Sequence, residues 1–530
     1  MKNSFDELTK SMAQSVTRRA ALSPCPDFAQ NGAIGGEATK QRRVGYVARE
    51  ETKAMKMTDY FRNMVMVFLA LATAGPRVST QAMAATITVS NTSDSGAGSL
   101  RRAIQNAASG DTINFSVGGT IVLTTGELLV AKNLSIVGAG ASSLAVSGHT
   151  NSRVFEISSN ATVSISDLTI QDGHAPNRTN ATVTAGNGGG ILNAGNLALT
   201  RCTVSGNVAG SSLLNILGNP AAKPGGNGGG IYNLGTLALT SCTLSGNVAG
   251  KGDVGAPGGA GGSGGAVFNA GNATLTACTV SGNQAGAGGN SMSLHPGVGG
   301  SGGGIYNATN ASPARLRNIL VVSNLAGLGG AVLHLGSPSH PGPPGPGPDL
   351  FGAFTSQGCN LAGIADFSTG LTNGVSGDLA GSGALPIDAS LGPLQNNGGP
   401  TFTMALLSGS PALNAGDDAL LSPPFNLATD QRGLPRKFGT HVDIGAFESQ
   451  SLLQATQAQS QITSMTSLPN GQIHFTVVTA PETAGRIEAS QDLQTWTALT
   501  DFTSAADGTY EFIDVSAPLY AQRFYRVVTP

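Results

Sequence analysis

GGGILNAGNLALTRCTVSGN (residues 188–207) recurs in register: GGGIYNLGTLALTSCTLSGN at residues 228–247, GGAVFNAGNATLTACTVSGN at residues 264–283, and a degenerate copy, GGGIYNATN…RNILVVSN, at residues 302–324. The copies start at Gly188, Gly228, Gly264 and Gly302, so the period is 40, then 36, then 38 residues. Self-similarity at such a period is the mark of a solenoid. Each copy holds two short runs of apolar and β-branched residues alternating with small polar ones, bounded by Gly and Asn. One unit cannot bury its own apolar face, whereas stacked units bury a continuous core. Helical repeats need long segments of 3.6-residue period, which are missing, and a leucine-rich horseshoe needs a different pattern. Coils of about 20 to 25 residues plus insertions predict a right-handed parallel β-helix.

Three columns define the coil. Leu168, Cys202, Cys242, Cys278 and Ile319 occupy one position, which must point inward because it accepts only apolar side chains and Cys. Asn193, Asn233, Asn269 and Asn307 form a second column, and Asn207, Asn247, Asn283 and Asn324 a third. Asn suits turns because it tolerates left-handed backbone. Identical Asn side chains one coil apart also bond each other as a ladder.

Composition fits this architecture. Gly is 76 of 530 residues, about twice its usual share, and charged residues are 11%. Hydrophobic residues reach 40%, too many for a disordered chain. A net charge of −2 gives no reason to expect nucleic acid or an anionic membrane surface as partner.

Residues 1–56 are charge-mixed and aperiodic and read as a non-native or disordered leader. Residues 57–84 read as a signal peptide: Arg62, an apolar run over residues 64–74, and an Ala82-Met83-Ala84 cleavage site. The run is too short for a membrane-spanning helix. This placement predicts Met55 or Met57 as the true start, Ala85 as the mature N-terminus, and a secreted or cell-surface, outer-membrane-associated location. In an exported chain the Cys column invites a disulfide reading. The Leu and Ile in the same column favour free, buried thiols instead.

Residues 85–118 read as an N-terminal cap. Ser99 N-caps a helix over residues 100–107, with Leu100, Ala103, Ile104 and Ala107 on one face. Ser99-Leu100-Arg101-Arg102-Ala103-Ile104 resembles the SLREAI motif that opens many bacterial β-helix proteins, with Arg102 replacing the usual acid. Residues 119–448 read as the β-helix with its closing segment. That segment contains Gly392-Pro393-Leu394, Asn397-Gly398-Gly399, Ser410-Pro411-Ala412, Asp430-Gln431-Arg432-Gly433 and Asp443-Ile444-Gly445-Ala446-Phe447-Glu448. These residues resemble the choice-of-anchor Q family of exported bacterial proteins with the pectin-lyase-like fold. The GGGIxN…SGN coils also resemble polymorphic outer-membrane proteins. The resemblance covers residues 86–448. It implies export to the cell surface or beyond and carries no established activity.

Residues 449–460 read as a polar linker. Residues 461–530 carry four alternating runs that predict a small antiparallel β-sandwich. The run SQDLQTW…RFYRV resembles a short C-terminal module of exported verrucomicrobial-type proteins, and Trp496 reads as core rather than a sugar platform. The tail holds too few strands for an outer-membrane barrel.

Hydrolysis of a glycosidic bond normally needs two carboxylates at a fixed separation. A calcium-assisted lyase needs several acids on one face and a base. Between Gly186 and Pro348 the chain has one carboxylate, Asp253. Catalytic groups would therefore have to sit at the ends. One end cluster is Glu156, Asp167, Asp172 and His174, with Asp167 and Asp172 at turns. The other is Asp417, Asp418, Asp430, Arg432, Arg436, His441, Asp443 and Glu448, read as an ion-paired cap with calcium binding as the alternative. No catalytic, cofactor-binding or metal residue is assigned, and no cofactor. Insertions at residues 208–227, 249–263 and 284–301 leave every coil at the same point and so share one edge. They lack aromatic residues and read as inert excursions. The function expected is a non-catalytic, monomeric, surface-associated adhesion or structural protein. Its partner would be a polysaccharide or cell-surface component, with no membrane span in the mature chain. The alternative is a polysaccharide-active enzyme (lyase or glycoside hydrolase) or carbohydrate-binding protein.

Overall fold

Eight parallel strands follow one another along the first face, from Thr86–Val89 and Thr112–Phe115 through Asn196–Thr200 and Thr236–Thr240 to Ala314–Arg317. They belong to a computed structural model that describes residues 84–139, 144–179, 185–212, 222–291, 293–333, 341–450, 461–479, 483–505 and 508–528. The leader, the signal segment up to residue 83 and linker residues 451–460 lie outside the described residues. A second face stacks nine parallel strands from Gly119–Val122 to Leu379–Ala380. A third runs from Leu128–Val130 to Ile305–Asn307. The long strand Leu350–Ser356 pairs with both Ile305–Asn307 and Ala314–Arg317, joining the first and third faces into one 16-stranded sheet. The chain is thus a parallel β-helix.

Each coil repeats the same steps. Ile191–Asn193 lies on the third face, Asn196–Thr200 on the first and Thr203–Ser205 on the second. Register is one-to-one between coils, as in Leu197↔Leu237 and Leu199↔Leu239. The inward positions of all three faces form one core, with Leu199, Leu239 and Leu275 fully buried. The corner between the first and second faces is a single left-handed residue in five successive coils: Asp167, Arg201, Ser241, Ala277 and Asn318, with φ of 55°, 50°, 50°, 51° and 54°. One such residue redirects the chain without breaking the neighbouring ladders. Immediately after it comes the column of Leu168, Cys202, Cys242, Cys278 and Ile319, fully buried as its composition requires. The Cys thiols are free. Burial pushes those of Cys202 and Cys242 well above the ordinary value, so they pack as small apolar groups.

Both Asn columns are buried ladders rather than simple turns. The Asn193 side chain donates to Asn233 at 2.7 Å, Asn233 to Asn269 at 2.6 Å, and Asn269 to Asn307 at 2.6 Å. In the other column Asn207, Asn247 and Asn283 each donate to the next at 2.9, 2.8 and 2.9 Å, and Asn324 ends on the Asp349 carboxylate at 2.8 Å. Burial raises the Asp349 carboxyl to about 6.

At the N-terminal end the helix Leu100–Asn106 is capped by Ser99, whose Oγ accepts the Arg102 N–H at 3.3 Å, and it buries Leu100, Ala103 and Ile104 in the coil core. The cap segment also supplies the first two rungs of the first face, paired Ile87↔Ile113 and then Ile113↔Ile136.

The insertions are packed layers rather than separate excursions. Their described parts form a second body in which backbone packs on backbone. Outgoing and returning stretches interleave, and one hydrogen-bonded column crosses them all. The N–H of Gly186 donates to Pro176 O at 2.7 Å. Gly210 then donates to Gly186, Gly226 to Gly210, Gly250 to Gly226, Gly262 to Gly250, Gly286 to Gly262, Gly300 to Gly286, Gly327 to Gly300 and Gly345 to Gly327, each at 2.8 Å. Three residues along runs a second column: Asp253 donates to Lys223 O, Gly259 to Asp253, Gly289 to Gly259, Gly297 to Gly289, Gly330 to Gly297 and Gly342 to Gly330. A three-residue repeat without internal hydrogen bonds is that of the polyproline II helix. Glycine is needed because the backbones nearly touch: a Cβ on Gly250 would lie 2.0 Å from Gly210 O, and one on Gly286 1.9 Å from Gly250 O. One ion pair is sealed inside, between Arg178 and Asp253, with side chains 3% and 0% exposed. The Asp253 carboxylate also accepts the Lys223 N–H at 3.1 Å.

The tail forms two three-stranded antiparallel sheets. One orders Gln461–Ser467, Ile473–Val478 and Thr509–Asp514; the other orders Thr497–Thr503, Ala484–Ser490 and Phe524–Val528. Phe475, Val477, Ile487 and Phe502 make its core. The expectation for Trp496 is corrected. It is half-buried outside that core, with the Arg526 guanidinium 4.2 Å over its ring. The sequence DLQTW turns at Asp492, whose carboxylate accepts the N–H groups of Gln494 and Thr495, and this keeps Trp496 off the sheet interior.

Candidate functional site

The closing segment is built over the side of the solenoid, not across its end. Its residues run along the outer surface of the second face, where the strands carry Thr203, Thr243, Thr279 and Leu320 in one column. Thr203 Oγ1 donates to Phe402 O at 2.6 Å, Thr243 Oγ1 to Gln431 Oε1 at 2.6 Å, and the Ala446 N–H donates to Thr279 Oγ1 at 3.0 Å. Leu320, Val322 and Leu361 pack against Leu406, Ala412, Ile444 and Phe447. The second cluster is therefore lateral, which corrects its placement at an end.

Within it, Asp430, Arg432, Arg436, Asp443 and Glu448 are buried and their bonds are internal to the segment. Asp430 accepts the Arg432 and Leu434 N–H groups at 2.8 and 3.2 Å and forms an ion pair with the Arg432 guanidinium at 2.8 Å. That guanidinium lies 3.7 Å over the Phe447 ring. Asp443 accepts the N–H groups of Asn414 and Ser449 at 2.7 and 2.6 Å. Glu448 accepts those of Phe438 and Asp443 at 3.1 and 2.9 Å. Arg436, 0% exposed, donates through Nη2 to Asp443 O and Gly445 O at 3.1 and 2.6 Å. Burial, reinforced by the Asp443 charge, raises the Glu448 carboxyl to about 8; burial also raises Asp443 and lowers Arg436. Asp417 pairs with Arg317, while Asp418 binds Lys437 and lies 3.3 Å from His441 Nδ1. Carboxylate oxygens committed to backbone N–H groups have little left for a cation. Among the described residues no group of three or more His, Cys, Asp and Glu is placed to hold a metal.

The early cluster is dispersed. Glu156 lies on the third face, in Phe155–Ile157. Asp167 lies at the corner after Thr162–Ser166 and binds Arg201 through both carboxylate oxygens at 2.7 Å. Asp172 and His174 follow the second-face strand Thr169–Gln171, and Asp172 accepts the Ser147 hydroxyl at 3.3 Å. Glu156 instead meets Glu127, which the sequence reading passed over. Arg153 pairs with both carboxylates. Burial, and then the Glu127 hydrogen bond and charge, raise the Glu156 carboxyl.

Two outward features lie on the faces of the coils. On the third face Tyr232, Phe268, Tyr306 and Phe351 stack with centroids 5.1, 4.8 and 5.0 Å apart. Each ring face covers the next, so mostly ring edges meet solvent and the stack offers no sugar platform. Its signal is the middle residue of IYN, VFN, IYN and LFG, beside the more regular Asn column. On the first face an open groove of about 340 Å³ crosses four coils, lined by Asn133, Ser135, Thr162, Ser164, Asn196, Ala198, Thr236 and Ala238. Its walls are hydroxyls, amides and methyls, without a charge.

No protein-family model and no curated protein matches the chain.

Proposed function

We propose that the chain is an exported, non-catalytic β-helix protein of the choice-of-anchor Q type, with an adhesion or structural role at the cell surface. The observation that carries this reading is the use made of the acids. Asp430, Asp443 and Glu448 are consumed by backbone N–H groups. Glu127 and Glu156 both pair with Arg153. The test is depolymerisation of pectin, alginate and neutral glucans by the purified protein, with and without calcium. No cleavage is expected. Cleavage abolished by Glu156→Gln or Asp443→Asn would overturn the reading. N-terminal sequencing of secreted protein should begin at Ala85, and retention of residues 1–56 would count against export.

A second reading, carbohydrate binding without cleavage, is favoured by the first-face groove. Its uncharged hydroxyl and amide walls suit a neutral polysaccharide better than a polyuronate. Retention on insoluble neutral glucan, lost in Ala198→Arg, is the outcome that reading requires.

A further inference from the structure

The glycine bundle grows by one rule. In each outgoing layer, N–H groups three residues apart donate to the layer of the following coil. Ala209 and Ser212 donate to Val248 O and Lys251 O, and Ala249, Gly252 and Gly255 to Gln284 O, Ala287 O and Asn290 O. Ala285, Gly288 and Ser291 donate in turn to Leu325 O, Leu328 O and Ala331 O. The last outgoing layer, residues 325–332, has no equivalent layer beyond it to receive its own donors, because the next coil passes from Leu361–Ala362 to Ser368–Thr369 through residues 363–367 alone. The equivalent N–H groups of Ala326, Gly329 and Val332 have no hydrogen-bond partner among the described residues.

The last returning layer faces the same problem and solves it. There Gly225 donates to Ala260 O, Gly261 to Val298 O and Gly299 to Pro343 O. The next residue in that series is Pro344, which has no N–H to leave unpaired. Proline is a common way of blunting an open edge. Among the described residues nothing blunts the outgoing edge. It presents Leu325 and Leu328, 60% and 66% exposed, which lie three residues apart and so on one side of a three-residue repeat.

We propose that this outgoing edge is a docking site for a proline-rich segment of another protein in the polyproline II conformation. The edge continues an interface that the bundle repeats at every layer, so an added strand needs carbonyls at three-residue spacing and no donors toward the bundle. Proline supplies that pattern, arrives already ordered, and packs its ring on Leu325 and Leu328. The chain's own PGPPGPG (residues 341–347) holds the matching place in the returning layers. A second copy of the chain is the poorer occupant. The coils before residue 174 and after residue 350 continue past both edges of the bundle and would collide on stacking. The proposal is independent of the adhesion reading.

The test uses the full chain and a fluorescein-labelled peptide of repeated Pro-Gly-Pro, followed by anisotropy, with light scattering on the same samples. Ala326→Pro removes one donor in the manner of Pro344; Leu328→Ser removes one apolar contact and leaves the backbone alone. Saturable binding by the parent chain is expected, weakened about tenfold in each variant with unchanged thermal unfolding. Absence of binding to the parent, or undiminished binding to folded Ala326→Pro, would overturn the proposal. So would a dimer that forms without peptide and is lost in the variants. If Ala326→Pro does not fold, Leu328→Ser decides alone, and unchanged binding there rejects the site.

Discussion

The coil interior and the glycine bundle are stacked on the same repeat but held together in opposite ways. In the coil, side chains fill the space, and one column accepts Leu168, Cys202 and Ile319 because any apolar group of suitable size restores the burial. In the bundle almost nothing is filled by side chains. Backbones lie against one another, and Gly250 and Gly286 have no room for even a methyl group. The coil therefore draws on the hydrophobic effect, which forgives substitution, and the bundle on hydrogen bonds whose geometry does not. The contrast teaches that low complexity in a solenoid insertion is not a sign of disorder when its glycines fall three apart and in step with the coils.

The contrast is most severely tested at the buried ion pair. Arg178→Met leaves Asp253 charged inside the bundle and should cost about 3–5 kcal/mol in denaturant unfolding. Hydrogen exchange should quicken at Gly250 and Gly262 while Leu239 stays protected; equal loosening of both would merge the two bodies into one. Leu239→Ala attacks the coil instead and should cost about 2–5 kcal/mol, with the protection pattern reversed. Gly286→Ala should cost about 1–3 kcal/mol although it adds one methyl, because the clash is with backbone. A neutral result there would mean that the layers slide apart easily. Cys242→Val should cost less than about 1.5 kcal/mol. A larger loss, or a Cys202–Cys242 disulfide in non-reduced peptide maps, would remove the tolerance assigned to the column.

The solenoid was legible in the sequence because its columns repeat residue by residue, and so were the helix capped by Ser99 and the tail sandwich. The left-handed corner was not, since Arg201, Ser241 and Ala277 share no chemistry and only their φ unites them. The bundle was hidden because hydrogen bonding between layers leaves no apolar period to read. Glu127 was missed because it meets Glu156 only through the stacking of Leu128–Val130 on Phe155–Ile157, a juxtaposition that no local motif encodes. Trp496 was misplaced because an aromatic residue in a small module suggests core, whereas the Asp492 turn holds it at the rim.

The lateral closing segment has a consequence for the order of folding. Gln431 binds Thr243, 188 residues earlier, and its amide reaches Thr203, 228 residues earlier. Coils can assemble from neighbour to neighbour as the chain emerges, since each needs only the one before it. The outer surface of the second face cannot be finished that way. Until residues 401–446 have been made, Thr203, Thr243 and Thr279 lack these partners and Leu320 lacks its cover. The nascent protein therefore passes through a state with a formed ladder and one sticky flank. A chain stopped near residue 385 would remain in it, prone to aggregate along the face that its own C-terminal third is built to cover.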